Sequence, residues 1–292
     1  MNQKKIIAIA GGVGGVIALF VGAQLVASRV AAKEVDKAIA SVSDLVEVDY
    51  KRVNASLLGG GTQVKGVTVS PVGSGEQYQV DEIVVYDYKT TDNDIPTHIN
   101  MAINGMALDV GAMGESASSL KEYGYGDALS VNFSTQYTYQ EAEKEVRLEK
   151  FKMGADEVGD LDVSVHLSNI VFDPATVAAM PFSLFGTVFH QATITYDDDS
   201  LVTRMFDTAA ATAGVSVADL KKEAIASLEK DLASGDESLS QELVAEMKNF
   251  INNPDGFTVS INPNEPVPFS ALLGTGGDPD KLIELLNVRF ES

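Results

Sequence analysis

The chain has 292 residues, of which 45% are hydrophobic, so it can bury a sizeable core and disorder is not the expected state. Its formal net charge of −21 at pH 7 makes nucleic acid and anionic lipid headgroups poor partners for its surface. The lack of cysteine excludes disulfides, thiol nucleophiles and thiolate metal sites.

The first element is an uncharged run over residues 6–27, preceded by Lys4 and Lys5 and followed closely by Arg29. Its 22 residues match the length that a helix needs to cross a bilayer, ~20 apolar residues. We predict that residues 1–29 form a retained, single-pass membrane anchor of the signal-anchor type. A cleaved secretory signal is the alternative, although its apolar core is usually shorter. We favour a bacterial inner-membrane location with the body of the chain in the periplasm.

Small residues recur at every fourth position of this run, with a GxxxG pattern beside them. Such spacing lets two helix backbones approach closely in lipid, which predicts self-association into a homodimer. The alternative is that glycine is simply common in membrane-spanning helices. The candidate contact residues are Ala10, Gly11, Gly14, Gly15, Ala18 and Gly22.

A short helix is predicted over residues 30–45, where apolar residues alternate at spacings of four and three. This seam lasts barely two heptads, which is less than the three to four heptads expected of a coiled coil. It would either dock on its own domain or extend a dimer contact outside the membrane.

Period-two alternation dominates residues 46–169. It is clearest at residues 131–139 and recurs at residues 99–104. β-Branched and aromatic residues that alternate with polar ones are typical of half-buried antiparallel strands. No helical interval separates the runs, so a parallel βαβ sheet is not expected.

Helical patterns dominate the rest of the chain, with strands returning between them. Capping-box-like starts precede the helices predicted at residues 216–233 and 238–251, and Gly214 can end the helix predicted at residues 201–213. The predicted helices are residues 201–213, 216–233, 238–251 and 280–286, and the predicted strands are residues 192–196, 257–261 and 288–290.

These elements predict an α+β fold: an N-terminal transmembrane helix, then a twisted antiparallel β-meander covered on one face by C-terminal helices, with the late strands rejoining the sheet. The predicted division is a membrane anchor at residues 1–29, a juxtamembrane helix at residues 30–45 and one exported α+β domain at residues 46–292.

Three segments carry a resemblance to known proteins: residues 46–69 (VEVDYKRVNASLLGGGTQVKGVTV), 192–220 and 259–288. They resemble uncharacterised bacterial periplasmic proteins with one N-terminal anchor, in the neighbourhood of AsmA-like envelope proteins. The resemblance implies a β-rich body with a hydrophobic groove and a role in envelope lipid homeostasis.

The sequence contains no constellation typical of catalysis, cofactor binding or metal binding. His98, His166 and His190 belong to no closely spaced ligand pair, and each is expected at the surface. No Gly-x-Ser-x-Gly elbow supports a hydrolase triad. The three aspartates at 197–199 lack the spacing of a calcium loop and are expected to cap the helix that follows.

An aromatic stripe in residues 180–189 is the candidate ligand-contacting segment. A stripe at helical spacing usually faces a core, but an exposed one would form the wall or lid of an apolar site. The candidate residues are Phe182, Leu184, Phe185 and Phe189.

We therefore predict a non-enzymatic envelope protein, without a cofactor, that binds or handles lipid or another apolar ligand. The expected partners are the membrane lipid bilayer, that ligand and a second copy of the chain. Two alternatives stay open: an assembly component that oligomerises through its transmembrane and juxtamembrane helices, and a hydrolase with a dispersed carboxylate site. A sizeable apolar cavity would favour the first hypothesis, and two facing carboxylates in a cleft would favour the last.

Overall fold

The structure is a computed structural model that describes residues 39–40, 43–44, 46–55, 61–91, 95–111, 115–171, 186–233 and 241–292. The described residues form two compact units. Unit 1 takes those up to Tyr137 together with Phe151–Asp156, and unit 2 takes Thr138–Lys150 and those from Glu157 onward.

Unit 1 is an antiparallel sheet in which β1, β3, β4, β5 and β6 are hydrogen-bonded in that order and β2 also pairs with β3. Its short helix α1 follows β5. The elements are β1 (Val46–Asp49), β2 (Arg52–Ala55), β3 (Thr62–Pro71), β4 (Tyr78–Thr90), β5 (Pro96–Asp109), α1 (Glu115–Glu122) and β6 (Ala128–Gln140), the last of which continues into unit 2.

The core of unit 1 follows directly from the alternation of its strands. Val64 pairs with Ile83, and Ile83 pairs with Ile103, so one face of three neighbouring strands is continuously apolar. Ile83, Ile103 and Met106 are all 0% exposed. Burying a side chain of this size stabilises a fold by about 1.5–3 kcal/mol, so this face holds unit 1 together.

Unit 2 contains the remaining strands, in which β7, β8, β9, β10 and β12 follow one another by hydrogen bonding and β11 also pairs with β9. β7 has residues in both units. The strands are β7 (Glu145–Ala155), β8 (Gly159–Ser168), β9 (Val188–Asp198), β10 (Gly256–Ile261), β11 (Val267–Pro268) and β12 (Val288–Glu291).

Five helices also belong to unit 2. They are α2 (Leu201–Ala213), α3 (Val217–Ala233), α4 (Gln241–Asn252), α5 (Phe269–Gly274) and α6 (Pro279–Leu286). Helix α3 packs against α2 and α4, and α4 contacts the edge strand β12.

The predicted α+β fold class is wrong. The described part of the chain is mostly antiparallel sheet with twelve strands, and its helices are fewer and account for fewer residues. The reason lies in packing: α3 contacts α2 and α4, α4 contacts the edge strand β12, and β4 and β5 pair well beyond their apolar stretches. Among the described residues, no helix has the length and apolarity required to cross a bilayer.

The predicted anchor at residues 1–29 and the six small residues of its candidate dimer contact lie outside the described residues. Of the predicted helix at residues 30–45, Ile39 and Ala40 are helical, but Ser43 and Asp44 form a turn, so the helix does not extend to residue 45 as predicted. Ile39 packs against the core of unit 1.

Candidate apolar ligand pocket

One face of the unit 2 sheet collects apolar side chains from successive strands. Leu161 of β8 pairs with Tyr196 of β9, and Tyr196 pairs with Phe257 of β10. Directly paired residues of antiparallel strands point to the same face, so the three side chains form one row. All three are only partly buried. This face therefore differs from the corresponding face of unit 1, which is completely covered.

Aromatic rings form the centre of this face. The rings of Phe257 and Phe290 stack with centroids 5.3 Å apart, and Tyr196 lies 5.6 Å from Phe257 on the other side. Phe250 of α4 meets Phe257 edge-on, with centroids 5.5 Å apart and planes at 90°. Such geometries add about 0.5–1.5 kcal/mol per pair beyond area burial, so Phe257 is the ring on which helix and strands meet.

Helix α4 presents an apolar stripe to these rings. Leu243, Met247, Phe250 and Ile251 recur at spacings of four, three and one, which places them on one side of the helix. Val244 beside them is 2% exposed and fixes the helix to its surroundings. The opposite side carries polar residues, so the amphipathic pattern alone orients α4 towards the strands.

The helix is also tied by polar contacts at its borders. The backbone N–H of Ser292 donates to a carboxylate oxygen of Glu246 at 3.1 Å, and the Ser292 hydroxyl donates to the Glu246 carbonyl at 2.8 Å. Lys248 pairs with Glu229 of α3 at 2.5 Å. These contacts link α4 to the end of β12 and to α3 without placing a charge against the aromatic rings.

A pocket of about 340 Å³ lies between α4, β10 and β12. Its volume falls within the ~300–1,000 Å³ of small-molecule sites. All of its lining side chains are apolar or aromatic. They are Leu243, Met247, Phe250, Ile251, Phe257 and Phe290.

Two larger pockets have a different chemistry. One, of about 410 Å³, is lined by Glu47 and Glu76 and by the glycine-containing turn after β3. The other, of about 570 Å³, includes Glu265, Lys281 and Glu284. Charged groups in the wall disfavour an apolar ligand because they would lose hydration. Size alone therefore does not identify the best candidate site.

A second arrangement of functional groups lies on polar strand positions of unit 2. His166 Nε2 lies 3.3 Å from Glu145 Oε2, and the same carboxylate oxygen accepts from Arg147 at 3.0 Å. His190 Nε2 is 2.7 Å from the Ser168 hydroxyl. Burial and the neighbouring His166 lower the pKa of His190, while the pKa of Glu145 is lowered by its hydrogen bond from Arg147.

The histidines were expected at the surface, and the structure places them differently. The side chains of His98 and His166 are 24% and 15% exposed, respectively. Each lies on a long strand that is paired with a neighbouring strand, and a carboxylate of that neighbour covers part of the imidazole. The carboxylate is Asp87 for His98 and Glu145 for His166. Among the residues that the structure describes, no group of three or more His, Asp or Glu side chains could hold a metal ion.

The expected role of the aspartates at 197–199 as a helix cap is confirmed for one of them. Asp198 Oδ1 accepts the backbone N–H of Val202 in the first turn of α2 at 3.0 Å. Ser200, which occupies the formal N-cap position, makes no side-chain cap and donates instead to the Glu157 carbonyl. The chain thus caps α2 from two residues farther upstream than usual.

Of the candidate ligand-contacting residues, Phe182, Leu184 and Phe185 lie outside the described residues. Phe189 lies in β9, opposite Leu167 of β8 and Val267 of β11, and is 8% exposed. Their part in a ligand site stays a prediction.

The pocket-lining residues of α4 lie in the helix predicted over residues 238–251, but the sequence did not mark them as a ligand site. A helical stripe that faces a core and one that lines a pocket have the same spacing, so the pattern cannot distinguish them. Phe257 and Phe290 gave no signal of proximity, since 32 positions and two helices separate them along the chain.

A family model described only as an uncharacterized protein matches residues 152–292, which include β8–β12 and the pocket. No curated protein matches the chain. The likeness to AsmA-like envelope proteins therefore stays a prediction.

Proposed function

We propose that the protein is a non-enzymatic binding protein that holds a hydrocarbon chain of a lipid in the pocket between α4, β10 and β12. The observation that carries the proposal is the wall of this open pocket, in which six apolar side chains line a volume of about 340 Å³. A hydrocarbon chain needs no hydrogen bond and gains about 25 cal/mol for each Å² of apolar surface removed from water.

The partial exposure of the aromatic face supports a binding role over a purely structural one. Phe257, Phe290 and Phe250 are not fully buried, whereas the comparable positions of unit 1 are. Rings of this size left partly in water forgo stabilisation that an apolar ligand would restore. In a unit that only needed a core, such rings would be expected to be covered.

The charge of the chain favours a lipid with a neutral or zwitterionic headgroup. The net charge is −21, and α4 and β12 carry Glu242, Glu246 and Glu291 against Lys248 and Arg289. An anionic headgroup would therefore approach a protein surface of net negative charge. We therefore choose phosphatidylcholine as the test ligand.

The proposal can be tested by photocrosslinking. The full-length chain is mixed with phosphatidylcholine vesicles in which one acyl chain carries a photoactivatable diazirine, and the adducts are located by peptide mass spectrometry. We expect adducts on α4 and on the peptides that contain Phe257 and Phe290. A wild-type protein without adducts on these peptides would contradict the proposal.

Met247→Glu supplies the decisive variant, with Met205→Glu as its matched control. Met205 lies on α2 and is 42% exposed, so a carboxylate there stays hydrated. A carboxylate at Met247 would have to be desolvated against the ligand, and we expect at least a tenfold loss of adducts, or about 1.4 kcal/mol. Leu243→Gln provides a second variant if Met247→Glu melts early. Equal labelling of the pocket and control variants would overturn the proposal.

The location of the protein is a separate proposal that rests on residues 4–29. The uncharged run after Lys4 and Lys5 supports attachment to the inner membrane, with the acidic body in the periplasm. An alkaline phosphatase fusion after Ser292 should be active and a cytosolic fluorescent fusion at the same position dark. The reverse result would place the body in the cytoplasm.

A further inference from the structure

An irregularity in the pairing of β8 and β9 brings two histidines together. His166 of β8 pairs with Gln191, but the next residue, Leu167, pairs with Phe189. His190 is thus an extra residue in β9, as in a β-bulge, which breaks the strict alternation of faces. The bulge turns the His190 side chain to the face that carries His166 and Ser168.

The two imidazoles are stacked, with ring centroids 4.2 Å apart and planes 16° from parallel. His166 Nε2 faces the Glu145 carboxylate at 3.3 Å, and His190 Nε2 faces the neutral Ser168 hydroxyl at 2.7 Å. Arg147 donates to the same carboxylate at 3.0 Å. Among the described residues, the charged groups that act on His190 are His166, Glu145 and Arg147.

The surroundings of the two imidazoles can compensate one positive charge but not two. One protonated ring can be compensated by Glu145, although Arg147 already shares that carboxylate. A second proton would place two like charges about 4 Å apart in a half-buried site, where their repulsion is only weakly screened. The second charge would lie beside a hydroxyl, which cannot neutralise it.

We propose that His166 and His190 form a proton-binding pair that accepts one proton. A second proton forces the two rings apart and loosens the pairing of β8 and β9 at the bulge. The pair would make this end of the sheet sensitive to acid. The proposal is independent of the lipid pocket, because none of these residues lines it.

The direction of the pH dependence follows from His190. Burial and the neighbouring His166 hold the pKa of His190 below its usual 6.5. As the pH falls below 6.5, the unfolded chain binds a proton that the folded chain refuses, so the free energy of unfolding decreases with falling pH until His190 itself titrates. Above pH 6.5 the contribution of the neutral pair is fully present.

The chain has three histidines, so the imidazole carbon signals of the full-length protein can be followed individually by NMR from pH 8 to pH 5. His166→Gln should raise the titration midpoint of His190, because it removes a neighbouring charge. His98 lies on β5, and His98→Gln should leave the titration midpoint of His190 unchanged. A His190 midpoint that is equal in wild type and His166→Gln would overturn the proposal.

A second measurement reports on stability. Urea unfolding of wild type should lose more free energy between pH 7 and pH 5 than that of His190→Gln, which keeps a polar group for Ser168 but cannot be charged. His190→Phe keeps a stacked ring and serves if the glutamine variant folds poorly. If the pH dependences of wild type and both variants are parallel, the two histidines do not act as a proton-binding pair.

Discussion

Phe257 stacks on Phe290 diagonally across the pair of strands β10 and β12, with ring centroids 5.3 Å apart and planes 25° from parallel. The residue directly opposite Phe290 is Val259, so the rings meet by reaching along the strands. Phe250 of α4 then closes on the edge of Phe257. The phenyl ring of Phe257 therefore connects β10 to both α4 and β12.

Phe257→Ala should destabilise unit 2 by about 2–4 kcal/mol, because it removes the shared ring and leaves a cavity, though Phe257 is not fully buried. Tyr86 on β4 is 50% exposed and provides the control, since Tyr86→Ala should change stability by less than about 0.5 kcal/mol. Urea denaturation measures both. Equal losses would mean that the Phe257 contacts contribute little.

Gly61→Ala should be more destabilising than Gly73→Ala, although both glycines have positive φ angles, of 72° and 79°. A left-handed φ costs a non-glycine residue about 1–2 kcal/mol at either site. A Cβ at Gly61 would also overlap the Val85 carbonyl, whereas no described atom lies within 4 Å at Gly73. We expect a further ~1–3 kcal/mol at Gly61 because backbone must move. Equal thermal shifts would show that β3 and β4 separate easily there.

Asp198→Ala should destabilise the protein by about 2 kcal/mol, since it removes the cap on the Val202 N–H and the acceptor for the Tyr196 hydroxyl. Asp198→Asn should recover much of this loss because an amide oxygen can still accept. Asp197→Ala, at an exposed neighbouring position, should have little effect on the stability of the protein. Thermal denaturation with and without chelator distinguishes a cap from a cation site, because only the latter makes the melting temperature depend on metal.

Tyr78 should ionise late in an alkaline titration. Burial and the hydrogen bond that its hydroxyl donates to Glu76 raise the pKa of Tyr78 to about 12, from 10.0. Between these values the unfolded chain loses a proton that the folded chain keeps, so stability falls as the pH rises from 10 towards 12.

Near-ultraviolet absorbance of the phenolate measures this ionisation. Glu76→Gln should lower the pKa of Tyr78, whereas Glu141→Gln, in the exposed turn after β6, should not affect it. A late-ionising tyrosine that persists in Glu76→Gln would attribute the shift to burial alone.

Much of the secondary structure was predictable because its signals are local. The alternation at residues 131–139 lies within β6 (Ala128–Gln140), and the amphipathic residues 201–213 coincide with α2 (Leu201–Ala213). Gly214 ends that helix in a left-handed conformation, at φ 69°, as its lack of a side chain allows. Each of these features depends on residues within a few positions of one another.

The balance of strand and helix was not predictable in the same way. In β4 and β5, polar residues such as Asp87 and Lys89 pair with Asn100 and His98 beyond the apolar stretch. Backbone hydrogen bonds to a partner strand lengthen a strand irrespective of its side chains. The α+β prediction underestimated the sheet for this reason.

The sequence by itself determined which residues are apolar, how they alternate and, to within a few residues, where α2, α3, α4 and α6 begin and end, because these follow from periodicity, capping and glycine conformation. Only the tertiary structure decided that the stripe of α4 meets Phe257 and Phe290, and that a bulge places His190 against His166. Both depend on the register between strands and on helix docking, which are contacts between residues far apart in the chain, and local pattern carries no information about them.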